Sequence, residues 1–260
     1  MMVRELPDYH NPPAVETALG VRFSPIEGWN VFHYGLLLSK FKDEYPKQEL
    51  HPPLGQIAFQ LSPGEAFADV PVRCWFINRD DTQLVQIQNN CFIRNWRKTE
   101  QTPDYLHYDV IRPLFQRDWT LFLEFLEEQG LRRPTLWQCE VSYINHFVRG
   151  RDWNDYKDLH KLYPAWRGLP AQGLFARPET IAFTESFGLE DGGSLQFVSQ
   201  PAIRKSDGAE IIQLSITALG KPAGSEEGNL LQWLDRGREA VVRGFAGFMD
   251  EAAQTKWGKQ

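Results

Sequence analysis

The chain has 260 residues, with 28 Lys and Arg against 34 Asp and Glu, for a net charge of −6. That length suits one large domain, 1–260, or two closely packed halves, about 14–150 and 172–258. An acidic balance argues against duplex nucleic acid, whose phosphates select basic surfaces. No apolar run approaches the ~18 residues of a membrane span. The opening MMVRELPDYHNPP lacks the apolar core of a signal peptide. A soluble cytoplasmic protein without a membrane partner is expected.

Asn11-Pro12-Pro13 precedes AVETALGVRF (14–23), where Val15, Thr17, Leu19, Val21 and Phe23 alternate with polar or small residues, the period of a strand. VFHYGLLLSKFKDEYP (31–46) reads as a helix ended by Pro46. Residues 47–71, with Pro52, Pro53, Pro63 and Pro71, read as a long excursion. The segment 72–97 reads as a hairpin turning at Arg79-Asp80-Asp81. Residues 104–129 form a long helix with Phe115, Trp119, Phe122 and Phe125 on its apolar stripe. Pro113 must lie in its first turn or kink it.

A strand at 136–147 follows, then irregular chain to 178 with a short helix near 154–162. Strands at 180–187, 194–204 and 210–219 are separated by EDGG and KSDGAE, both good turn sequences. A helix over 229–257 closes the chain. The GFAG within it reads as close helix packing. Runs of strands backed by long helices predict an α+β fold. Its antiparallel twisted sheet carries the helices on one face, with two loosely similar halves.

The strands repeat one chemistry. In LWQCEVSYINHF (136–147), Trp137, Cys139, Val141 and Tyr143 alternate with Gln138, Glu140 and Ser142. In LVQIQNNCFIR, counting by twos puts Gln86, Gln88 and Asn90 with Phe92 and Arg94, opposite Val85, Ile87, Cys91 and Ile93. Gln196, Gln200, Gln213, Ser215 and Thr217 continue the pattern. Such a face suits solvent, a groove for a small polar ligand, or burial against another chain. The candidate binding residues are Gln86, Gln88, Arg94, Trp96, Gln138 and Glu140. Arg94, Trp96, Arg97 and Lys98 could also clamp a nucleotide.

The expected function is a non-catalytic module that receives a small polar ligand or a protein partner, with a homo-oligomer open. The alternative is an enzyme acting on a small polar or nucleotide substrate through Glu140 with Arg22 or Arg94. Glu140 and His146 share a strand face but stand about 20 Å apart, so they form no dyad by themselves. The six histidines show no metal spacing, C-x-x-C is missing, and no phosphate-binding or nucleophile motif occurs. No catalytic residue, metal or cofactor is therefore assigned. Cys74, Cys91 and Cys139 are expected to be free thiols.

NPPAVETALGVRF, LVQIQNNCFIRNWRK, QCEVSYINHF and VVRGFAGFMDEAAQTKWG together resemble a sporadically distributed bacterial family of uncharacterised proteins. The match runs over about 11–258. The family's closing helix often holds a His that this chain lacks. The resemblance implies a bacterial setting and supplies no activity to carry over.

Overall fold

Strand β1 occupies Ala14–Phe23, the span that its alternation predicts. The computed structural model describes residues 5–55, 72–102, 104–166, 178–190, 192–224 and 226–260. Helix α1 follows at Phe32–Phe41, shorter than the sequence suggests. Strands β2 (Lys47–His51), β3 (Arg73–Ile77), β4 (Gln83–Gln88) and β5 (Cys91–Arg97) come next. Helix α2 spans Tyr108–Glu128, β6 Leu136–Val148, and a short 3-10 helix Tyr156–Lys161. Strands β7 (Phe183–Gly188), β8 (Ser194–Ile203) and β9 (Glu210–Gly220) lead to α3 (Glu227–Phe248) and α4 (Glu251–Lys256).

Among the described residues, nine strands form one antiparallel sheet in the order β2-β3-β4-β5-β1-β6-β9-β8-β7, the α+β arrangement that the sequence predicts. By contact the chain divides into two units. One comprises 18–140 and 221–233; the other comprises 1–17, 141–220 and 234–260.

In the first unit, α2 packs on one side of the strands. Phe92 of β5 meets Phe115 and Trp119 at ring separations of 5.7 and 5.3 Å, and Phe23 of β1 meets Trp119 at 5.9 Å. Trp29 adds an edge contact to Phe122 and Phe125. Pro113 lies inside α2, in its second turn, so the helix gives up one amide hydrogen bond there.

Three sequence expectations need correction in this unit. Residues 72–97 are three strands, because a second, two-residue turn at Asn89-Asn90 separates β4 from β5. KQELH is a strand despite four exposed positions; pairing of Lys47 with Ile77 through His51 with Arg73 holds it. Trp137 is 48% exposed, whereas Cys139, Val141 and Tyr143 are buried as their alternation predicts. The proline-rich excursion lies outside the described residues beyond Gly55.

In the second unit, α3 packs on the odd-numbered side of β8. Phe197 stacks on Phe248 at 4.4 Å. A Cβ on Gly244 would stand 2.6 Å from Leu195 Cδ2 and 3.1 Å from Phe197 Cζ, so a bare backbone sets that approach. The close-packing expectation for GFAG therefore holds at Gly244; Gly247 has open space. The closing helix is two helices. Asp250 interrupts it, its carboxylate accepting from the amides of Ala252 and Ala253 as the N-cap of α4.

His146 of β6 lies half-buried with its Nδ1 unpartnered. Burial holds the imidazole below its ordinary value of 6.5, with Arg204 adding to the effect while Gln213 and Asp207 oppose it. The folded state therefore favours neutral His146. Its share of stability is complete above the unfolded pKa of about 6.5 and falls as pH drops through that value. His146→Gln should flatten the loss of unfolding free energy measured between pH 7 and pH 5. An unchanged slope would remove this group from the acid response.

All three cysteines are free and buried. Burial pushes Cys74 and Cys139 up to about 12 and Cys91 to about 11. None should react with a thiol reagent at neutral pH until the chain unfolds, when all three should titrate together.

Candidate functional site

The turn at Asn89-Asn90 decides which side chains share a face. Gln88 pairs with Cys91, Gln86 with Ile93 and Val85 with Arg94. Directly opposed residues point the same way, so Gln86 and Gln88 stand with Cys91, Ile93 and Asn95. Arg94 stands with Val85, Ile87 and Phe92, on the α2 side. The expected grouping of Gln86 and Gln88 with Arg94 is overturned, since a count by twos does not survive the two-residue turn.

Arg94 is fully buried there. Its Nε donates to Asp118 Oδ2 at 3.0 Å, and its Nη2 donates to Gln83 Oε1. Tyr45 donates its phenol to the same Asp118 oxygen at 2.5 Å, and Arg117 Nη2 lies 2.8 Å from Oδ1. Trp96 is also buried, edge-on to Tyr105 at 5.4 Å. Arg94 and Trp96 are thus parts of the covered side and cannot clamp a nucleotide.

The other face of this unit carries the remaining candidates. Trp75 opposes Gln86 across β3 and β4, and one antiparallel step places Arg73 beside Gln88. Gly20 of β1 lies between Ile93 and Glu140: a Cβ there would stand 3.2 Å from Ile93 Cγ1 and 3.5 Å from Glu140 Cβ. Two rows of side chains therefore cross the strands. One runs Arg73, Gln88, Cys91, Arg22; the next runs Trp75, Gln86, Ile93, Gly20, Glu140.

Arg22 and Glu140 approach to 3.8 Å, with side chains 25% and 20% exposed. Burial holds the Glu140 carboxyl above the usual carboxylate range, and the Arg22 charge pulls it back. Gln138 is half-buried on the same strand face as Glu140. The two other glutamines are structural in part. Gln88 accepts from the Leu54 amide at 2.8 Å and donates to Asn90 Oδ1, while Gln86 donates to Asn95 Oδ1 at 2.7 Å. Leu54 packs on the apolar floor of Ala18, Cys91 and Ile93.

Composition gives no sign of Arg73 or Trp75, whose segment reads from sequence as half of a hairpin. His51 stacks on Trp75 at 3.8 Å, and the Arg73 and Arg97 guanidiniums lie over its ring at 5.5 and 5.7 Å. His51 also lies 2.9 Å from Glu49.

The second unit continues the polar pattern. Gln196 opposes Thr217, Val198 opposes Ser215 and Gln200 opposes Gln213. Ser142 shares a hydroxyl hydrogen bond with Thr217 at 2.7 Å. An open pocket of about 300 Å³ in this unit is lined by Arg149, Trp153, Asp155, Tyr156, Pro178, Glu179 and Glu210. It holds none of the residues that the sequence singles out as binding candidates.

Among the described residues, no group of three or more His, Cys, Asp or Glu is placed to hold a metal ion. Among them, too, no helix is long and apolar enough to cross a membrane. No family model, curated protein or solved structure matches the chain.

Proposed function

We propose that the protein is a binding module, without catalysis, that receives a small polar ligand on the strand face opposite α2. A cytoplasmic setting and membership of the bacterial family that its four segments resemble belong to the same proposal. The observation that carries it is the partly exposed Arg22–Glu140 pair, beside Gly20, on a face that also holds Arg73 among neutral hydrogen-bonding and apolar groups. Gly20 lets Ile93 and Glu140 close in over a bare backbone there, and the Arg22–Glu140 pair offers both donors and acceptors to a guest. A second reading, general acid–base chemistry at Glu140, is favoured by one feature: burial raises its carboxyl toward the range where such a group exchanges protons.

Mass spectrometry of the purified chain under native and denaturing conditions tests the binding reading. The native mass should exceed the denatured mass by that of a retained guest. The double variant Arg22→Gln with Glu140→Gln should lose the guest while changing stability by only about 1 kcal/mol, as removal of a partly exposed ion pair does. A guest retained unchanged by the double variant would remove this face from recognition.

A further inference from the structure

The Arg22–Glu140 face has more positive charge than partners for it. Among the described residues, Glu140 is the one carboxylate that approaches Arg22, and at 3.8 Å it is beyond hydrogen-bond reach. Arg73 has no hydrogen-bond or ion-pair partner among the described residues, and its buried Nε is unsatisfied. Two residues along the same strand face, the buried Trp75 Nε1 is unsatisfied as well. Directly across the ladder from Trp75, Gln86 is only 7% exposed and its Oε1 has no donor. Buried polar atoms are rarely left unpaired, because each has given up its hydrogen bond to water without a replacement. Three in adjacent positions of two paired strands, one of them on a guanidinium and with that of Arg22 nearby, describe a recognition surface with its hydrogen bonds unspent.

We infer that Arg22, Arg73, Trp75 and Gln86 form a binding site for a small oxyanion, a carboxylate or phosphate group whose carrier also bears a hydroxyl or amide donor. The oxyanion accepts from the two guanidiniums and the indole N–H; the carrier's donor goes to Gln86 Oε1. Arginine suits this role because its planar fork binds such groups through two parallel hydrogen bonds. Cys91 lies between the two arginines in the row across the strands, and both guanidiniums act on its thiol, which fits their reaching toward one another above it. Desolvation and the neighbouring Arg22 both work against the Arg73 charge. An anion would relieve both. The inference rests on the binding reading above and narrows its ligand class.

The test follows the Trp75 indole and Arg73 Nε resonances of the full chain by nuclear magnetic resonance, assigned with Trp75→Phe and Arg73→Gln. Potassium phosphate and sodium acetate are titrated separately against sodium chloride at matched ionic strength. At least one of the two should move both resonances along a saturating curve that chloride does not reproduce. Saturation by phosphate alone assigns a phosphate carrier, and by acetate alone a carboxylate carrier. Arg73→Gln should weaken that binding about tenfold or more, the loss of one charge-assisted contact. Arg22→Gln should do the same and serves if Arg73→Gln does not fold. Arg133→Gln, on an exposed arginine paired with Glu127, should not. Overturning results are the lack of a saturating shift with either anion, or equal weakening by Arg133→Gln. A neutral or cationic guest found by mass spectrometry would keep the binding reading and remove the anion assignment.

Discussion

Asp118→Ala should cost about 3–5 kcal/mol of unfolding free energy, because it leaves the Arg94 charge buried without its counter-ion. Both side chains are fully buried, and the pair is made at 3.0 Å. The same carboxylate also takes the phenol of Tyr45 and two guanidinium contacts from Arg117, through Nε and Nη2, so three groups lose an acceptor at once. Burial, reinforced by Asp118, raises the Tyr45 hydroxyl above its usual range, which keeps it a hydrogen-bond donor at all ordinary pH. The double variant Arg94→Met with Asp118→Leu removes both charges and fills the same volume. It should recover most of the loss, since a buried ion pair replaced by packed apolar groups is often neutral. Urea denaturation measures both. A loss below about 1 kcal/mol for Asp118→Ala would mean that water reaches Arg94 and that α2 does not seal this side.

Trp119→Ala should cost about 3–5 kcal/mol, the range for truncating a large buried aromatic. Trp119 is 2% exposed and sits among Phe23, Phe92 and Phe122, with ring separations of 5.3 to 5.9 Å. These rings come from β1, β5 and α2, so one substitution opens a cavity where two strands meet the helix. The denaturant midpoint should fall with little change in slope, as the surface exposed on unfolding is nearly the same. A cost near 1 kcal/mol would show that the neighbouring rings collapse into the space. Trp137→Ala, by contrast, removes a half-exposed ring and should cost far less.

These two costs rest on features that the sequence displays unequally. The α2 stripe of Phe115, Trp119, Phe122 and Phe125 is legible from its helical period, and all four are buried. β1 is legible to the residue because its alternation is unbroken and a proline pair precedes it. Arg94 is not legible as a core residue. Its charge places it at the surface by composition, and only the ladder offset across Asn89-Asn90 turns it under the helix. The Asn-Asn pair is itself a turn signal, masked here by the Gln88-Asn89-Asn90 polar run. β2 is illegible for another reason: its exposed side chains carry no pattern, and main-chain pairing with β3 makes it a strand. The break before α4 was available in the sequence, since Asp250 before Glu251-Ala252-Ala253 is a capping signature inside a run of helical period.

The candidate site divides in the same way. Glu140, Gln138, Gln86 and Gln88 were recognisable because polar residues at strand period stand out in apolar surroundings. The partners that give Glu140 a chemistry come from β1 and β3, and strand order cannot be read from one sequence. Arg22 reaches Glu140 only because β1 lies beside β6, and Arg73 joins the row only through the β3–β4 register.

The separation of the arginines by the sheet is the point on which the whole account turns, and arginine-selective labelling with phenylglyoxal measures it. The folded chain is labelled, digested and mapped by mass spectrometry. Arg22, one-quarter exposed, and Arg73, half-buried, should label in the folded state, and saturating oxyanion should slow both. Arg94, with no exposed side-chain surface, should remain unlabelled until denaturant unfolds the chain. Labelling of Arg94 at the rate of Arg22 in the folded protein would place it on the open face and contradict the account.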